Sequence, residues 1–270
     1  MVMGPRWRLA GALPKGQLGR LSRKPGRQAR PEPRSTAVPA EAERVSASGA
    51  RVSAPVGHDV PAEPRSHGDP EVVAGKVARL DEPHVRPLND LVREMNAERP
   101  GMDAVPWFDP DGGGVSACAL FLFESPGAGT GLPGGSGIVS ADNDDPASET
   151  FFALREEAGL PRHTLVAWNA VPWSLRSAAG KPRNAVAADL ADAEPWLYRV
   201  VLQLPEVKLV VTLGTAARDG WLRLLTTRAD VPLVPTLSVP QTSPNAVRVG
   251  DSRARILLAM RRAAGLCAGG

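Results

Sequence analysis

The stretch Val115-Ser116-Ala117-Cys118-Ala119-Leu120-Phe121-Leu122-Phe123-Glu124-Ser125-Pro126-Gly127 decides the fold. Its first nine residues are nearly all apolar. A run of that length with no alternation is expected of a strand buried on both faces, as in a parallel sheet covered by helices. It ends on a carboxylate, a hydroxyl, a proline and a glycine. In open α/β sheets ligands bind beyond the carboxyl ends of the strands, so the end of this run is the first place to look for chemistry.

Working outward, strands and helices alternate. The periodicity predicts a helix over 84–100, with Val85, Leu88, Leu91, Val92 and Met95 at helical spacing and Pro100-Gly101 closing it. A glycine-rich loop follows the central run. Asp145-Pro146 then opens a helix that stops at Gly159. Leu165 to Asn169 reads as a second strand, and 186–204 as an amphipathic helix. Val207 to Leu213 reads as a third strand closed by Gly214, followed by a helix from Thr215. Val231 to Val239 is a fourth strand weakened by Pro232 and Pro235. Asp251 to Ala264 is the last helix. This order predicts an α/β domain with a mostly parallel four-stranded sheet, spanning 84–266.

Residues 1–83 lack any sustained apolar period and are rich in Pro, Arg, Ala, Gly and Ser. Such a segment buries too little to offset its ordering entropy and reads as a disordered tail, or as sequence upstream of the true start. The formal net charge of +3 hides a split. Residues 1–34 carry nine Lys/Arg against one Glu, whereas residues 84–270 carry 18 Lys/Arg and 20 Asp/Glu. A basic tail is either a solvated segment or a holder of polyanions. No run reaches the roughly 20 apolar residues of a membrane span, and Leu9 to Leu13 is too short for a secretory core, so the expected location is cytoplasmic. Cys118 reads as a core thiol and Cys267 as a surface thiol. Two cysteines hold no four-cysteine cluster, and the four histidines show no metal-ligand spacing.

The strand-end rule selects four places: Glu124, the segment after Asn169, Gly214, and Gln241 to Asn245. Glu124 either activates a water or caps a neighbouring backbone N–H. In its loop Pro126 fixes the backbone and Gly127 permits close approach to a ligand. Asn169 either reads a group offering both a donor and an acceptor, such as a base edge, or ends its strand in a turn. The hydroxyls and N–H groups of Gln241-Thr242-Ser243-Pro244-Asn245 either hold a phosphate or form an ordinary polar loop. Arg176, Lys181 and Arg183 form a basic stretch suited to phosphate or to solvent.

Glu124 to Gly127, Asp142-Asn143-Asp144-Asp145-Pro146 through Phe152, Trp168-Asn169-Ala170-Val171-Pro172-Trp173, Val210 to Gly214 and Gln241 to Pro244 stand in an order and spacing that resembles the uracil-DNA glycosylase superfamily. The likeness spans roughly 115–264 and looks closest to the branch whose first motif reads Gly-Glu-Ala-Pro-Gly. It implies a three-layer α/β/α sandwich. It also implies a base-excision repair enzyme that flips uracil out of DNA and hydrolyses its glycosidic bond as a monomer, with no metal or cofactor. Glu124 then matches the water-activating position, within a substrate-binding loop that includes Ser125, Pro126 and Gly127. Asn169 matches the amide that reads uracil. Gln241-Thr242-Ser243-Pro244 falls where the family has His-Pro-Ser-Pro, a loop that grips DNA and helps stabilise the departing anion. Gln241 and Ser243 are thereby placed at the base, and Thr242, Pro244, Asn245, Lys181 and Arg183 at the DNA. The chain departs from the family in three respects: Gln241 replaces His, Ile138 stands near the place of the stacking aromatic, and the branch's iron–sulfur cysteines are absent. Two other readings use the same pocket: a catalytically weakened DNA- or base-binding module, and a nucleoside hydrolase.

Overall fold

The computed structural model describes residues 63–100 and 103–269. Its helices are α1 (Pro70–Val77), α2 (Arg86–Glu98), α3 (Pro146–Glu157), α4 (Ala187–Leu202), α5 (Thr215–Thr227), α6 (Pro244–Val247) and α7 (Ser252–Ala268). Its strands are β1 (Trp107–Phe108), β2 (Ala119–Phe123), β3 (Ile138–Val139), β4 (Leu165–Asn169), β5 (Leu209–Leu213) and β6 (Thr236–Val239). Four strands form one parallel sheet in the order β4-β2-β5-β6. The expected apolar run supplies β2, whose strand begins only at Ala119 because Gly114–Ser116 forms a 3₁₀ turn. The two prolines likewise shorten the last strand to Thr236–Val239. Asp145 caps α3, accepting from the N–H groups of Ala147 and Ser148.

Alternation along β2 divides the core. Leu120 and Leu122 pack with Leu88, Val92, Leu197 and Trp221 of α2, α4 and α5. Ala119 and Phe121 pack with Phe151, Leu154, Ile256 and Met260 of α3 and α7. Both faces of the sheet are therefore covered, and the fold is a three-layer α/β/α sandwich. A second, two-stranded parallel sheet pairs β1 with β3 (Trp107 beside Ile138, Phe108 beside Val139). Two-residue strands carry too little pattern to be read from sequence.

Two expectations are corrected. The boundary at residue 83 is too late, because a turn at Ser66–Gly68 and helix α1 belong to the folded unit. His67 N–H donates to the Asp142 carbonyl, and the buried Lys76 meets the carboxylates of Asp109, Asp111 and Asp142 at 2.9, 3.0 and 2.8 Å. Helix α1 is held by charge, which an apolar-period reading does not register. The rest of the predicted tail, residues 1–62, lies outside the described residues. The second correction concerns the thiols: Cys118 and Cys267 form a disulfide, 149 residues apart in sequence. It ties the residue before β2 to the last turn of α7. Reduction, or Cys267→Ser, is expected to lower stability by about 2–4 kcal/mol, read as a lower denaturation midpoint with and without dithiothreitol. No helix among the described residues is long and apolar enough to cross a membrane.

Candidate active site

The carboxyl ends of β2, β4 and β5 and the loop after β6 open into one cavity of about 310 Å³. Parallel pairing sets Phe123 beside Asn169, and the Ala170 and Val171 N–H groups donate to the Phe123 and Glu124 carbonyls. Glu124 and Asn169 are thus neighbours by strand register. Gln241 arrives two residues after β6. Gly214 makes room for it: its φ is +91°, and a Cβ there would lie 2.6 Å from the Gln241 Cγ. Glu124, Asn169 and Gln241, 45 and 72 residues apart in turn, all line this cavity.

The half-buried Glu124 carboxylate uses both oxygens. Oε1 accepts from the Ala185 N–H at 2.7 Å, and Oε2 accepts from the Gln241 carboxamide at 3.1 Å. Both roles considered for Glu124 are thus compatible with one geometry: it holds a backbone N–H ahead of α4 and faces the cavity. Asn169 is 3% exposed, and its amide nitrogen is buried without a hydrogen-bond partner. A buried donor left unpaired costs about 1–3 kcal/mol, so an acceptor group in the cavity that Asn169 lines would relieve this cost once the amide turns toward it.

The remaining site residues divide. Ser125, Pro126, Gly127, Thr242, Ser243 and Arg183 line the cavity; Pro244, Asn245 and Lys181 do not. Ser243 caps α6 through the Ala246 N–H. Arg183 is committed to Asp189 through two hydrogen bonds of 2.6 and 2.8 Å, and Arg176 is paired with Asp103. The basic stretch is therefore largely neutralised within the chain. Ile138 is also corrected: it is fully buried in β3 and does not line the cavity. Side chains alternate across a strand, so its neighbour Val139 faces the cavity instead. The aromatic wall comes from Phe123 and Phe151, which meet edge to face at 5.3 Å. The Phe151-Phe152 pair in the acidic motif was the sequence signal for it, but only packing of α3 against the sheet brings Phe151 to the site.

A charged cluster backs one wall. Ser140 lines the cavity and donates to Asp109, while Arg162 pairs with Asp142. Burial opposes charge on Lys76, yet Asp109, Asp142 and Asp111 raise its pKa to about 12. Burial likewise opposes charge on Asp109, but Lys76 and Arg162 hold it well below the usual carboxylate range. The carboxylates of Asp109, Asp111 and Asp142 are close enough to share a cation, and the Lys76 ammonium supplies it. Burial and the nearby Lys76 lower the pKa of His67, whose ring meets the Asn143 carboxamide oxygen at 2.7 Å. Asn143 in turn donates to Thr130 and to the Ile138 carbonyl. This ties the N-terminal segment to the cavity wall.

No family model matches this chain, and no curated protein matches it.

Proposed function

We propose that the chain is a monofunctional DNA glycosylase that hydrolyses the N-glycosidic bond of uracil in DNA, an activity of base excision repair. The observation that carries this reading is the unpartnered amide of Asn169, buried in the same cavity as Glu124. A buried carboxamide offers a donor and an acceptor side by side, the complement of the uracil O4 and N3–H edge. Chemistry on a base within a duplex requires the nucleotide to leave the stack, at a cost of a few kcal/mol. Phe123 and Phe151 supply apolar surface for the flipped ring. Glu124 orients a water toward the sugar carbon as the glycosidic bond breaks, takes up a proton from that water, and its charge favours the cationic sugar. The bond's electron pair leaves with the base as a uracil anion. Gln241, whose amide donates to Glu124, holds the carboxylate in place, a different task from the one expected of it at the base.

The test is release of uracil from U·G, U·A and single-stranded oligonucleotides, with free deoxyuridine as a control for nucleoside hydrolysis. Asn169→Ala is expected to lower kcat/KM by roughly 10- to 100-fold through loss of the base-edge hydrogen bonds. Absence of released base from all three DNA substrates with clean wild-type protein would sink the proposal.

A second reading is a binding module for DNA or an extruded base. It draws on the engagement of both Glu124 oxygens within the chain, which leaves fewer lone pairs for a water. Tight binding of uracil-containing DNA with no turnover selects it.

A further inference from the structure

Pairing of the arginines among the described residues is almost complete, and the exceptions are localised. Every arginine among the described residues has a carboxylate within 4.0 Å except four. The four are Arg248, Arg255, Arg261 and Arg262, all exposed and all within the last 23 residues. The charge balance repeats this asymmetry. Residues 84–243 hold thirteen Lys/Arg against nineteen Asp/Glu, whereas residues 244–270 hold five Arg against one Asp.

The helix geometry gathers these charges. Ile256, Ala259, Met260 and Ala263 of α7 are buried against the sheet. Arg255, Leu258, Arg261 and Arg262 fall on the opposite arc, at spacings of three, six and seven residues, and are exposed. Arg255 and Arg262 are about 10 Å apart along the axis, given a rise of about 1.5 Å per residue. The strip begins at the cavity: Ser243 lines it, α6 follows, and Arg248 ends α6. It then runs toward the opposite pole, where Cys267 is bonded to Cys118 just before β2.

We propose that Arg248 and the outer arc of α7 form a docking surface for the phosphate backbone of duplex DNA, carrying the contacts that the paired Arg183 and Arg176 do not make. Unpaired guanidinium groups in a row that starts five residues after the cavity-lining Ser243 and leads away along α7 suit phosphate oxygens geometrically and by charge. The choice of DNA as the polyanion rests on the reading of the cavity as a DNA-lesion site.

The experiment is fluorescence anisotropy of full-length protein on an undamaged 25-base-pair duplex across 50–200 mM salt. The variants are R255E/R261E/R262E and the neutral R255Q/R261Q/R262Q, whose melting is followed so that a misfolded variant is recognised. Each phosphate contact contributes about 0.9 to the slope of log K against log salt. Both variants are expected to lower that slope by about 2–3 and to weaken binding at 50 mM salt by on the order of 10- to 100-fold. An unchanged slope in the folded glutamine variant overturns the proposal, as does a wild-type protein that does not bind the duplex at 50 mM salt. Uracil release is measured in parallel. Binding lost in the variants without uracil release by the wild type retains the surface and removes the glycosylase reading. Uracil release with binding unchanged in the variants does the reverse.

Discussion

Replacing Lys76 with alanine is expected to cost about 3–5 kcal/mol of stability, because it leaves buried carboxylates without their cation. Lys76 is 5% exposed and bonds three aspartates at 2.8–3.0 Å. Arg162 remains to Asp142, but Asp109 loses its nearest positive charge. Deletion through residue 83 removes the same ammonium together with His67 and is expected to cost at least as much. Urea denaturation at pH 7 measures both, and a loss under about 1 kcal/mol for Lys76→Ala would show that the cluster is held by Arg162 and Arg79 alone. The pH dependence has a definite sign. Lys76 is raised from 10.5 to about 12, so its contribution is complete below pH 10.5 and is lost as pH rises through 12. Asp109 is depressed, so its contribution is complete above its unfolded value of about 3.9 and is lost as pH falls toward its folded value. Lys76→Ala should therefore flatten both limbs of the stability profile.

Glu124→Gln is expected to reduce uracil release about 10²- to 10⁴-fold, the usual contribution of a positioned general base. The amide oxygen of the variant still accepts from the Ala185 N–H, so the loop and the start of α4 should hold. Binding of uracil-containing duplex should stay equal or tighten, since a negative charge facing DNA is removed. Single-turnover excision and anisotropy on the same oligonucleotide separate the two effects. A fall of less than tenfold in release would reduce Glu124 to a cap for Ala185, the other role open to it from sequence alone.

The architecture was legible in the sequence because each sheet strand and long helix carries its own local signal. The run ending at Phe123, the segment Leu165 to Asn169, the Asp145-Pro146 start and the Gly159 stop are decided within a few residues of themselves. Strand-end placement then pointed to Glu124, Asn169 and Gln241, since a parallel sheet puts all its carboxyl ends at one edge. What failed were features held by partners distant in the chain. Helix α1 depends on Lys76 meeting Asp109 and Asp142, 33 and 66 residues away. Cys118 has no sequence cue toward Cys267, and the pleat of β3 turns Val139, not the expected Ile138, to the cavity.

By itself, then, the sequence determined the parallel sheet, the helices that cover it and the edge at which the site lies, because hydrophobic period, caps and breakers are local. Only the tertiary structure decided what surrounds the Glu124 carboxylate, which arginines remain unpaired, and that the Asn169 amide is buried without a partner. Those outcomes depend on distances between side chains far apart in the chain, and no local pattern encodes such distances.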